Sequence, residues 1–206
     1  MKKLLLSVAV VLMASAAHAQ DTTNAAETTN ATPSVARLTP KVGFNLANVT
    51  NGGDKLRFGL AVGAELECMV SKMVGISTGA IYSQQGYKTD VGTEYGTAHC
   101  TLQLNYLNFP ILLNAHVSKA FTIKVGVQPA FRLTGSAKAA IKNASATERI
   151  DGLRSYDVSM PIGVSYEYKN VVFDARYNYS FITLAKGADA KNSVFQVTAG
   201  YKFCLQ

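Results

Sequence analysis

The stretch FTIKVGVQPAFRL, residues 121–133, alternates without a break. Phe121, Ile123, Val125, Val127, Pro129, Phe131 and Leu133 are apolar, and Thr122, Lys124, Gly126, Gln128, Ala130 and Arg132 stand between them. A period of two puts the two sets on opposite faces of one strand. The run is about twice the common strand length of a soluble sheet. A strand this long, apolar on one face and charged on the other, suits a tilted crossing of a lipid bilayer, with its odd positions toward acyl chains.

The same alternation recurs in residues 42–47, 57–68, 74–83, 156–168, 173–181 and 195–203. An eighth segment, 102–113, changes phase: Leu102, Leu104 and Tyr106 share one face, and then Phe109, Ile111 and Leu113 do. One extra residue near Leu107 or Asn108, a β-bulge, would bring both sets to the same side. Eight strands predict an all-β fold, an eight-stranded antiparallel up-and-down transmembrane β-barrel. Tight turns near residues 71–72, 118–119 and 169–170 alternate with longer joins at 48–55, 86–99, 134–153 and 182–192. Short turns on one side and long loops on the other is the asymmetry of an outer-membrane barrel. Aromatic residues gather at both ends. Phe58, Tyr82, Phe131, Tyr156, Tyr179 and Phe181 lie toward the long loops, and Phe121, Tyr166, Tyr168, Tyr201 and Phe203 toward the short turns. Such girdles mark membrane interfaces. A soluble ligand-binding barrel would instead turn its apolar face inward, with its charges out.

The N-terminus fits this compartment. Lys2 and Lys3 precede an apolar core, Leu4 to Ala14, and the small-x-small site Ala17-His18-Ala19. This pattern predicts a signal peptide over 1–19, cleaved after Ala19. Residues 20–38, rich in Thr, Asn and Ala, read as a flexible periplasmic tail, leaving 39–206 for the barrel. The formal charge of +7 falls to +5 once Lys2 and Lys3 leave with the leader, and without a basic run it does not indicate nucleic acid. Cys68, Cys100 and Cys204 cannot all pair, and no C-x-x-C spacing suggests a metal or redox site.

Strand parity turns Glu65, Glu67, Asp157, Glu167 and Asp174 inward together with Arg57, Lys124, Arg132, Arg176 and Lys202. An eight-stranded barrel is wide enough only for its own side chains, so these ten residues predict an ion-paired lumen closed to ions. His99 and His116 fall at opposite ends of one strand and cannot share a catalytic site. An acid such as Glu94 beside His99 is the one enzymatic pairing the spacing offers. Neither catalytic residue nor cofactor nor metal is predicted, and the chain reads as non-enzymatic. Pro110, Pro129 and Pro161 sit on three consecutive strands at similar heights. They imply either bulges in the wall or a weakened seam through which a lipid could be bound or modified.

The segments LQLNYLNFPILLNAHV, YDVSMPIGVSYEYKNVVFDARYNYSFITL and SVFQVTAGYKF carry N-Y-L-x-F-P-x-L-L, R-Y-x-Y-S and a terminal G-Y-K-F. Together they resemble the PorT-like outer-membrane β-barrel family of Bacteroidetes-type bacteria, over roughly residues 39–203. The chain departs from that pattern by running on through Cys204, Leu205 and Gln206. The resemblance implies an outer-membrane barrel and allows a third role, as an accessory factor of a protein secretion machine. Outer-membrane lipids are the expected surroundings. The loop 134–153 and the residue after it hold Lys138, Lys142, Arg149 and Arg154 against Glu148 and Asp151. That excess predicts contact with lipopolysaccharide headgroups or an acidic surface glycan.

Overall fold

The computed structural model describes residues 36–50, 55–93, 96–141, 144–149, 153–184 and 190–205. The leader, most of the expected tail, Glu94, Lys142 and Asp151 lie outside the described residues. The chain is all-β. In order run β1 (Ala36–Val49), β2 (Lys55–Met69), β3 (Val74–Thr93), β4 (Gly96–Asn108), β5 (Ile111–His116), β6 (Phe121–Ile141), β7 (Ala144–Arg149), β8 (Tyr156–Tyr168), β9 (Val171–Thr183), β10 (Lys191–Tyr201) and β11 (Phe203–Leu205). β4 and β5 are the two halves of one wall strand, as are β10 and β11. Each wall strand pairs antiparallel with its neighbours, and β1 pairs β10 from Lys41 opposite Gly200 to Val49 opposite Asn192. This pairing closes an eight-membered ring and leaves the membrane no sheet edge to solvate.

Closure involves both chain ends. β1 begins at Ala36, so residues 36–38 belong to the wall rather than to the tail. Ala36 to Leu38 pair with β2 on one side and with Leu205 to Phe203 on the other. The residues beyond Phe203 therefore extend the closing strand.

Within the wall, burial alternates with the sequence. Phe121, Ile123, Val125, Val127 and Phe131 face outward, while Thr122, Lys124 and Gln128 are buried inside. The outward band ends at aromatic rows. Phe121, Tyr166 and Phe173 are register partners near the short turns, and Phe131 and Tyr156 near the long connections. Phe58 and Phe181 are exposed in the upper row, Tyr168, Tyr201 and Phe203 in the lower, and Tyr82 and Tyr179 are half-buried. From Phe121 to Phe131 the strand rises about 34 Å, and the usual barrel tilt projects this to about 25 Å, the apolar height of an outer membrane.

Strand four departs from the sequence expectation. Leu104 and Tyr106 point inward, fully buried, along with Asn108, Leu112 and Asn114. The register to β3 runs unchanged from Ile81 opposite Asn108 to Thr78 opposite Ile111, so no extra residue sits at Leu107 or Asn108. What changes is the solvent. Below Leu107 the outer face meets lipid and the inner face carries Asn108 and Asn114 on either side of Leu112. Above it the outer face carries Gln103 and Asn105, and the inner face carries Leu102 and Leu104. The bulge belongs to β6 instead: Asn105 pairs with Thr134 but Tyr106 with Arg132, which makes Leu133 the extra residue. The prolines add no residue either. Registers carry through the ladder gaps at Pro110 and Pro161, and Pro129 stays opposite Val158.

The two longest expected loops are largely strand. β3 and β4 pair up to Thr93 opposite Gly96, and β6 pairs both β4 and the short β7. With the start of β2, which pairs with β3, they raise a five-stranded sheet above the rim. Gly86 stands at its base with φ of 127°, in the region that favours glycine. A Cβ there would fall 2.0 Å from the Leu102 carbonyl oxygen. Gly86→Ala is expected to cost about 1–3 kcal/mol in urea unfolding of the micelle-folded barrel. Gly92→Ala, whose Cβ would meet nothing within 4 Å, is expected to stay within about 0.5 kcal/mol. Equal midpoints for the two variants would contradict this account.

Candidate functional site

The lumen is filled from the middle outward. Lys41 on β1, Lys124 on β6 and Arg176 on β9 surround Glu65 on β2 and Asp174 on β9. Lys41 lies 2.8 Å from Glu65 and 3.6 Å from Asp174, and Lys124 lies 3.5 Å and 2.7 Å from the same two. Arg176 Nη2 reaches Glu65 at 2.7 Å and its Nε reaches Asp174 at 2.8 Å. All five side chains are buried. Charges in such a place are tolerable only because each is met by opposite charge and hydrogen bonds. Closure across β1 and β10 brings these strands around one axis; no local segment could do so.

Lys41 escapes the sequence reading, although it shares the parity of Gly43 and Asn45. With it the cluster holds three cations and two carboxylates, not a balanced set. The other inward residues stand at different heights. Near the short turns Glu167 pairs with Lys202. There Glu67 meets Arg37 at 3.7 Å, accepts from Asn114 at 2.6 Å and contacts His116 Nε2 at 3.0 Å. Arg37 and His116 are further additions to the set. Higher up, Arg57 donates to the Gln85 carbonyl, and Arg132 donates to the carbonyls of Leu153 and Arg154 at 2.7 and 3.0 Å. Asp157 accepts from Ser180 and from Asn192.

Above the five-charge cluster, at the level of Asp157 and Arg132, Val49, Leu104, Tyr106, Ala130 and Leu184 form an apolar plug, with Tyr87, Leu102, Leu153 and Ala190 packed against it. Two described cavities remain in the lumen, of about 20 and about 10 Å³. Each has room for a water or two. Neither is a chamber for an acyl chain.

The second candidate surface is the raised sheet. Register partners share a face, and one row crosses five strands: Lys55, Lys88, Thr101, Lys138 and Thr147. Arg149 lies on the same face, one step lower, opposite Ser136. Lys55, Lys88, Lys138 and Arg149 are exposed. Glu148 sits in the opposite-face row with Tyr87, Leu102 and Ala137. Arg154 is half-buried at the rim, with its Nη1 3.4 Å from the Tyr156 hydroxyl. Lys55 and Lys88 were missed by a reading confined to the 134–153 loop; only strand pairing makes them neighbours of Lys138.

One acid interrupts the basic face. Asp90 accepts from Lys55 and contacts His99 Nδ1 at 2.7 Å. The Lys55 hydrogen bond and then the His99 contact hold the Asp90 carboxyl below its ordinary range. His99 thus pairs with Asp90 among the described residues. The pair is solvent-exposed, unlike the desolvated partners that acid–base catalysis favours.

A charged, plugged lumen inside an apolar band girdled by aromatics specifies the class of protein. The model of the outer membrane protein beta-barrel domain matches residues 19–186. The chain belongs to that family. Its place is accordingly the outer membrane, with the raised sheet on the extracellular side. No curated protein sequence matches the chain significantly. Among solved structures it is similar to Ail, the attachment invasion locus protein of Yersinia pestis, in complex with the heparin analogue sucrose octasulfate. That match has a TM-score of 0.51 and 15% identity, covering 82% of this chain and 99% of that one. Neisserial surface protein A gives a TM-score of 0.48 at 12% identity, covering 82% and 97% of the two chains. A major outer membrane protein from Thermus thermophilus gives 0.48 at 14%, covering 82% and 99%. At these identities the likeness concerns the fold.

Two outcomes follow for this outer-membrane barrel. Asp174→Asn leaves three buried cations around one carboxylate and is expected to cost about 3–5 kcal/mol in urea unfolding. Lys41→Met leaves two against two and is expected to cost less than half as much; the reverse order would refute the charge count. At the raised sheet, the Asp90 contact is present above the ordinary aspartate value of about 3.9 and is lost as pH falls through the lowered one. Hydrogen exchange of residues 88–99 is expected to quicken, beyond its intrinsic pH dependence, below about pH 4. Asp90→Asn should abolish that extra acceleration.

Proposed function

We propose that this protein is a non-enzymatic surface-contact barrel whose raised sheet binds the anionic headgroups and glycans of the outer leaflet. The observation that carries the reading is the single row of Lys55, Lys88 and Lys138, with Arg149 beside it and Glu148 on the opposite face. Thr101, in the middle of the row, is six residues beyond Leu107, the last apolar outward position of β4 before Gln103 and Asn105. At about 3.3 Å per residue and the usual tilt, the row stands about 15 Å above the acyl boundary. That is the level of charged headgroup sugars. The heparin analogue bound to the similarly folded Ail is also a polyanion, which favours the same ligand chemistry.

Within the family we assign the chain to the PorT-like barrels, exported by cleavage after Ala19. Residues of all three resembling motifs do interior work here. Tyr106 belongs to the plug, Arg176 to the ion cluster, and Ser180 bonds Asp157. Gly200 lies opposite Lys41 in the closing pair. These motifs therefore support a shared barrel interior, and a place beside secretion machinery would follow from that kinship.

The test changes Lys88, Lys138 and Arg149 together to Ser. Each basic residue near an anionic surface contributes on the order of 1 kcal/mol, so affinity for lipopolysaccharide vesicles should fall about a hundredfold at low salt. The difference should shrink as salt rises. Glu148→Gln, on the other face, should leave binding unchanged. Equal affinity of the triple variant and the unmodified barrel at both salt levels would refute the reading.

A further inference from the structure

Among the described inward carboxylates, Asp157 is the one without an ionic partner. Its side chain is buried, and among the described residues no Lys, Arg or His nitrogen lies within 4 Å of it. The inward arginines Arg57 and Arg132 are engaged elsewhere, Arg57 with the Gln85 carbonyl and Arg132 with the carbonyls of Leu153 and Arg154. Ser180 and Asn192 hydrogen-bond the carboxylate but leave its charge uncompensated. Buried charges are ordinarily paired or bound to a cation.

The cavity beside Asp157 supplies the rest of such a site. It is also lined by Asn108, Gln128, Ser159, Asn178 and Asn192. The amide oxygens of Asn108, Gln128, Asn178 and Asn192 are buried and accept no hydrogen bond among the described residues. The orientation of Asn192 is fixed by its partner: Nδ2 donates to the Asp157 carboxylate at 3.0 Å and to the Tyr106 hydroxyl at 3.3 Å, which leaves its oxygen as the free end. Gln128 Nε2 donates to Ser159 Oγ at 3.3 Å. Four neutral oxygens and one carboxylate are hard donors, suited to a hard cation rather than a soft metal.

We propose that Asp157 and these four amide oxygens bind a dehydrated monovalent cation inside the barrel. One carboxylate balances one positive charge, whereas calcium sites commonly gather several carboxylates. The cavity, about 10 Å³, holds one water-sized sphere. A hydrated ion does not fit, so protein oxygens must replace its shell, and the small volume favours sodium over potassium. The bound ion would tie β4, β6, β8, β9 and β10 together at the level where the ladder is interrupted by Pro110 and Pro161.

The experiment refolds the full barrel into micelles in sodium, potassium or tetramethylammonium chloride at one ionic strength and measures the thermal unfolding midpoint. Sodium is expected to raise the midpoint by several degrees in a saturable way, potassium less, and tetramethylammonium not at all. Asp157→Asn should remove the difference between salts. Asn178→Ala keeps the charge and removes one oxygen, so it should require about tenfold more sodium for the same effect. It also serves as the second variant if Asp157→Asn does not refold. Identical midpoints in the three salts would mean that hydrogen bonds alone hold the carboxylate, overturning the proposal. A sodium effect that survives unchanged in both variants would overturn it equally, by locating the ion elsewhere.

Discussion

Everything in this molecule depends on the pairing of β1 with β10. In hydrocarbon, each backbone N–H and C=O without a partner costs several kcal/mol. An open eight-stranded sheet would expose two rows of them. Joining Lys41–Val49 to Gly200–Asn192 removes both. The same closure forces every second side chain into a space only wide enough for side chains. The chemistry of the lumen is thus a consequence of the backbone's demand for hydrogen bonds.

That confinement explains the ion cluster. Five charged side chains from four strands meet at distances of 2.7–3.6 Å. None would be stable alone out of water, and each makes its neighbours tolerable. The glycines around them leave the room. A Cβ on Gly163 would fall 2.6 Å from the Arg176 Cβ, and one on Gly79 would fall 3.0 Å from the Glu65 Cγ. Arg176 and Glu65 are accommodated where their register partners on the neighbouring strand have no side chain.

The wall also passes through two solvents, and its pattern inverts where they meet. Below Leu107 the outer surface is apolar and the interior charged. Above it the interior becomes the apolar plug of Val49, Leu104 and Leu184, and the outer surface becomes the lysine row. One fold therefore carries a membrane protein's pattern at its waist and a soluble sheet's pattern at its top. The hydrophobic effect acts on both, with the apolar phase outside in one case and inside in the other.

Alternation determined the strand number and, once the loop asymmetry and the aromatic girdles had set the compartment, the inward side of Glu65, Lys124, Asp174 and Arg176, because a period of two is a local property of the chain. The phase change at residues 102–113 was equally visible, but its meaning was not. A bulge and a change of solvent leave the same mark in sequence, and only the unbroken register beside Asn108 and the shift at Leu133 separate them. Lys41 was legible by parity with Asn45 yet fell outside the apolar run used to define its strand. The hairpins at 86–99 and 134–153 were hidden because small and polar residues above the membrane carry little alternation. The basic row and the oxygens around Asp157 belong to tertiary structure alone. Lys55, Lys88 and Lys138, like Asn108, Asp157 and Asn192, are separated by tens of residues, and only strand register decides which of them meet.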